Sequence, residues 1–144
     1  MKEVTVTRQI KTYLADPGDP PLSSPEMVVR AILPTMPVHS EAMVLLILSS
    51  TNAQVECHTI ASGTVNSVSI DPVVLYNRVL VSGLKKFIIV HNHPSCDLSP
   101  SEEDLMFTRK VVKGCTLLGI SLLDHLIIDC TGKFMSMRKE GLIT

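Results

Sequence analysis

The sequence predicts an α/β domain, a mixed central β-sheet flanked by about three helices. Continuous apolar runs at Ala42–Leu48 and Phe87–Val90, and a third run over Ile120–Asp129, have strand length and the character of strands covered on both faces. Between them lie segments with apolar residues at helical spacing, opened by proline and closed by glycine. Strands interleaved with helices in this way build a layered sheet.

Taken in order, residues 3–8 (VTVTRQ) alternate well enough for an edge strand, and Asp16–Pro21 is a turn-rich linker. An N-terminal strand and linker are thus expected over 1–23 and the main domain over 24–144. Ser24-Pro25 opens a helix with Met27, Val28, Ala31 and Ile32 at helical spacing, stopped by Pro34 and Pro37. Glu41 leads into the strand at 42–48, and Ser50–Ala53 turns the chain into a hairpin partner over Val55–Ile60. Residues 63–67 read as a loop. Pro72 begins a helix containing Val73, Val74, Val79 and Leu80, and Gly83 ends it. After the strand at 86–91, Ser99-Pro100-Ser101-Glu102 reads as a capping box with Ser99 at the cap. Leu105, Thr108, Val112, Cys115 and Leu118 are expected to form that helix's buried stripe, with Gly119 its stop. Thr131-Gly132 then turns into a short last strand at 134–137.

Composition narrows the function. With 144 residues, 45% apolar and 19% charged, the chain can bury a real core. A net charge of -1 and 3% aromatic residues give neither an electrostatic footprint nor a stacking platform for nucleic acid. Lys85-Lys86 and the trio Arg109, Lys110, Lys113 read as solvated faces. Cys57, Cys96, Cys115 and Cys130 form no C-x-x-C pair and follow no secretory leader, which suits reduced thiols. The run at 42–48 is too short to span a bilayer, so a soluble, cytoplasmic protein without membrane contact is expected.

The chemistry centres on Val90-His91-Asn92-His93-Pro94 and the helix start that follows. Alternate positions of a strand project to one face, so the imidazoles of His91 and His93 can converge on one ion. Asp104, in the first helical turn, adds a carboxylate where the helix dipole favours the ionised form. As plain helix-start acids Glu102 and Glu103 fit equally well. Two nitrogens and one carboxylate leave a fourth tetrahedral position for water, the arrangement of a catalytic zinc.

The string HNHPS…PSEED, with Ser101 ten and Asp104 thirteen positions after His91, resembles the JAB/MPN (JAMM) metalloprotease signature. Together with Leu122-Leu123-Asp124-His125 it resembles the RadC-like branch, over about Pro25 to Leu142. The resemblance implies the JAB/MPN fold with its cytidine-deaminase-like layering, and Zn2+ held by His91, His93 and Asp104. It implies Glu41 as the general base and Ser101 as the hydroxyl that stabilises an oxyanion. The implied reaction is hydrolysis of a peptide or isopeptide bond by metal-activated water, on a peptide or protein substrate. Beside seven apolar residues, Glu41 is expected to have a raised pKa. His125 is expected behind the ligands rather than among them, and His39 and His58 as ordinary polar positions.

The competing reading is a non-catalytic, metal-containing accessory domain of DNA maintenance or mobile elements, where a nucleic-acid partner follows from the family label alone. Full-length RadC-like proteins carry a further N-terminal DNA-binding-type region for which this chain is too short. A nucleobase deaminase fails for want of P-C-x-x-C. The chain departs from the family pattern twice. Cys96 stands where the family has glycine; positive φ there would strain it, or its thiol could fill the open metal position, and a tolerated loop substitution is the simpler reading. Asp71-Pro72-Val73 replaces a common His-Pro-Arg.

Overall fold

The computed structural model describes residues 12–14, 16, 18–63 and 70–144. In chain order its elements are β1 (Thr12–Leu14), α1 (Pro25–Ile32) with a 3-10 turn (Leu33–Thr35), β2 (Glu41–Leu48) and β3 (Gln54–Gly63). They continue with α2 (Pro72–Ser82), β4 (Lys86–Asn92), α3 (Glu102–Leu118), β5 (Ser121–Ile128) and β6 (Phe134–Ser136). The strands form one sheet in the order β1-β3-β2-β4-β5-β6. Only β4 and β5 run parallel, joined through α3; the other pairs are antiparallel. This is the mixed α/β architecture that the sequence predicts.

Alternation along the central strands sorts the core into two layers. Met43, Leu45, Ile47, Phe87 and Ile89 meet residues of α2 and α3, including Leu75, Val79, Phe107 and Val111. Val44, Leu46, Leu48, Ile88 and Val90 point the other way, against Val28, Val29 and Ile32 of α1. Strands buried on both sides need apolar residues at every position, which explains the unbroken run in β2.

Local chemistry sets the helix ends. Ser24 Oγ accepts from Met27 N at 3.3 Å with Pro25 in the first turn. Asp71 does the same for Val73 N at 2.9 Å, so Asp71-Pro72-Val73 is a complete helix start. Gly83 and Gly119 close α2 and α3 at φ 71° and 65°, conformations that glycine adopts without a Cβ penalty.

Two expectations are corrected. The cap of α3 is Ser101, not Ser99: Ser101 Oγ accepts from Asp104 N at 3.1 Å, and the Asp104 carboxylate accepts from Ser101 N at 2.9 Å. Asp104, not Glu102, closes the capping box. The buried stripe of α3 is Asp104, Phe107, Thr108, Val111 and Cys115; Leu118, in the last turn, is 42% exposed. An edge strand is formed by Thr12–Leu14, paired with β3, whereas residues 3–8 and the loop positions 64–67 lie outside the described residues. Among the described residues no helix is long and apolar enough to cross a membrane.

Candidate metal centre

The site forms where β4 ends. His91 is paired with Met43 of β2 on one side and with Ile127 of β5 on the other, so its ring projects from the middle of the sheet toward α3. There it meets Asp104: His91 Nδ1 lies 3.3 Å from one carboxylate oxygen, and His93 Nε2 lies 3.6 Å from the other. The two rings stand edge to face, 4.8 Å apart. Candidate ligand atoms of His91, His93 and Asp104 all fall within 4.8 Å of one another, the one such group found among the described residues.

The polar atoms of this cluster fit a cation. Both nitrogens of His91 and Oδ1 of Asp104 are buried with no hydrogen-bond partner. Unpaired buried polar atoms are costly, and three in one place are what an ion would satisfy. His93 Nδ1 lies 2.6 Å from the Asp97 carbonyl, which can only accept, so the ring proton sits on Nδ1 and Nε2 presents a lone pair to the cluster. Asp104 is 1% exposed. Burial opposes its ionisation, but the His91 and His93 rings beside it and the hydrogen bonds from the Ser101 backbone and hydroxyl outweigh that and hold the carboxyl well below the usual range. The neighbouring Asp104 carboxylate raises the pKa of His93 against the opposing effect of burial. The His91-His93-Asp104 group could therefore hold a metal ion.

The remaining candidates line the same cleft of about 520 Å³. Glu41, at the first position of β2, places Oε2 3.7 Å from His91 Nε2. Its side chain is 35% exposed, at the mouth of the cleft rather than among the apolar residues that follow it. Ser101 borders the cleft too, with its hydroxyl donating to Asp104 Oδ2 at 2.8 Å.

His125 lies fully buried behind the ligands, 6.4 Å from the His91 ring. Thr108 donates its hydroxyl proton to the Asp104 backbone carbonyl at 2.7 Å, so His125 Nδ1 donates to Thr108 Oγ1, also at 2.7 Å. Burial, reinforced by the charge of His91, lowers the His125 pKa to about 3 and keeps the ring neutral. His58, on β3, pairs with Glu56 at 2.6 Å.

Cys96 has φ 63°, the left-handed conformation considered from sequence. Its thiol does not join the ligand group; it is exposed and donates to the Pro94 carbonyl at 3.8 Å. Asn92 escaped the sequence reading. Lying between the two histidines, it points to the opposite face and binds the backbone of residues 37–42. Strand alternation gives its direction, but its partners come from a distant segment.

A mixed sheet presenting two histidines to a helix-borne aspartate defines a class of α/β domain with a possible metal site. The RadC-like JAB domain family model matches residues 22–142, and the chain belongs to that family. It is 34% identical to a UPF0758 protein of Methanosarcina mazei over 139 residues, 96% of this chain and 60% of the relative. A UPF0758 protein of Aquifex aeolicus is 39% identical over 103 residues, 72% of this chain and 44% of the relative. One from Staphylococcus aureus is 34% identical over 121 residues, 83% and 53% of the two chains. The chain thus spans at most about 60% of these relatives.

Proposed function

We propose that this domain is a zinc-dependent hydrolase of the JAMM type, cleaving a peptide or isopeptide bond of a peptide or protein substrate. The observation that carries the reading is Glu41 beside the ligand group, 3.7 Å from His91 Nε2 and open to the cleft. An ion that served structure alone would need no acid–base group there.

Zn2+ held by His91, His93 and Asp104 would polarise the scissile carbonyl and lower the pKa of water. The protein's own groups supply the rest. Glu41 takes a proton on its carboxylate oxygen and returns it to the leaving amine. Ser101 turns its hydroxyl proton from Asp104 Oδ2 to the charge developing on the carbonyl oxygen, while its backbone N–H keeps its bond to Asp104. The Asp97 carbonyl fixes the tautomer of His93, while Asp104 is held ionised. Four free thiols suit a reducing compartment, and we place the protein in the cytoplasm.

Glu41→Gln tests the assignment. Zinc content by elemental analysis should match wild type, while hydrolysis of isopeptide-linked and peptide substrates falls by about 10²-fold or more. Full activity in this variant would remove Glu41 as the base. A wild-type protein that retains no zinc after loading would sink the catalytic reading.

A further inference from the structure

Cys57 and Cys115 are buried, whereas Cys96 and Cys130 are exposed at the end of the sheet near the metal centre. The parallel pairing of β4 and β5 brings them together. Asn92 lies beside Ile128, so the chain leaves both strands at the same end. His93 N donates to the Ile128 carbonyl at 2.8 Å, and Cys96 N donates to the His93 carbonyl at 3.1 Å, folding the first loop against the second. The second loop is itself held: Gly132 N donates to the Asp129 carbonyl at 3.2 Å, and Asp129 Oδ1 accepts from the backbone and hydroxyl of Thr131. Across this junction the Cys96 and Cys130 thiols are near enough for one to influence the ionisation of the other. The backbone at Cys96 is one that glycine would adopt freely and that strains other residues, yet the position carries an exposed thiol on the loop folded against that of a second exposed thiol.

We propose that Cys96 and Cys130 are a redox modification site, closing into an intramolecular disulfide that fastens the loop after His93 to the β5–β6 turn. With hydrogen peroxide as oxidant, both S–H bonds break and one S–S bond forms. Two electrons and two protons pass to the peroxide, giving two molecules of water. A dithiol reductant reverses the reaction by exchange. The fastened loop includes Asp97, whose carbonyl orients His93, so oxidation fixes one wall of the cleft. Cys130, and to a lesser degree the Asp129 carboxylate, raises the pKa of the Cys96 thiol, which slows its attack on peroxide.

The test is peptide mapping of the full chain after hydrogen peroxide, with and without later dithiothreitol, for wild type, Cys96→Ser, Cys130→Ser and Cys57→Ser. Wild type and Cys57→Ser should lose two alkylatable thiols per chain and yield one linked peptide pair containing Cys96 and Cys130. The thermal midpoint should rise on oxidation and return on reduction. Each exposed-site variant should give no such link and no midpoint shift. Cys96 and Cys130 remaining separately alkylatable, or linked only between chains at high protein concentration, would overturn the site. A link that left the midpoint unchanged would overturn the fastening. None of these readouts depends on hydrolysis.

Discussion

Asn92 ties the strand that carries His91 to the segment that delivers Glu41. Its Oδ1 accepts from Ala42 N at 2.6 Å, and its Nδ2 donates to the carbonyls of Pro37 and Ser40, both at 2.9 Å. Asn92→Ala would leave the buried Ala42 N–H and two partly buried carbonyls without this partner, at a cost of about 1–3 kcal/mol in urea unfolding. Under the proposed mechanism hydrolysis should suffer more than zinc content, because the deleted contacts hold Glu41 rather than the candidate ligands. Equal loss of both would contradict that division.

Metal binding should appear as stability. Zinc at a hundred times its dissociation constant should stabilise the fold by about 2.7 kcal/mol, and a chelator should remove the gain. Asp104→Asn also weakens the cap of α3, so the relevant quantity is the zinc-dependent difference within each variant. That difference should vanish in Asp104→Asn; its survival would exclude Asp104 as a ligand.

His125 should give the metal-free protein a pH-dependent stability. Its folded pKa is lowered to about 3, so the unfolded chain binds the proton more readily below about 6.5. The contribution is complete above that value and declines as pH falls, by about 1.4 kcal/mol per unit. His93 is shifted the opposite way, so its contribution changes above about 6.5, whereas that of Asp104 changes below about 4. Urea unfolding between pH 6 and 4.5 should therefore show a slope that His125→Asn removes. An unchanged slope would assign the titration elsewhere.

Gly114 lets α2 and α3 touch. A Cβ built there would lie 2.2 Å from the hydroxyl oxygen of Tyr76, which donates toward the carbonyls of Lys110 at 3.0 Å and Val111 at 3.1 Å. Gly114→Ala gains about 1 kcal/mol of helix propensity but displaces this ring, for a net loss of about 1–2 kcal/mol. In a Tyr76→Ala background the same change should become stabilising. A destabilisation of equal size in both backgrounds would rule out the contact as its cause.

What could be read from the sequence divides by distance along the chain. The strands at 42–48 and 86–91 and the stops at Gly83 and Gly119 follow from local pattern, and the structure has them within a residue or so. The His91-His93-Asp104 group was legible because strand alternation and a helix start bring nearby residues together. The cap of α3 was not, since Ser99-Pro100 and Ser101-Glu102 both resemble helix starts and only the reciprocal bonds with Asp104 decide between them. Asn92, Gly114 and the Cys96–Cys130 contact depend on segments that only the sheet and helix packing juxtapose.

The origin of the ligands has a consequence for refolding. His91, His93 and Asp104 come from one short stretch, thirteen positions from first to last, whereas Glu41 lies fifty positions before His91. Short loops close with less loss of chain entropy than long ones, so the ion cage should assemble before β2 docks beside β4. Under the proposed hydrolase mechanism, zinc uptake should precede the return of hydrolysis after dilution from denaturant, and stopped-flow recording of both signals would show whether the two recover separately. The domain would then pass through a stage that holds its ion while still unable to move a proton.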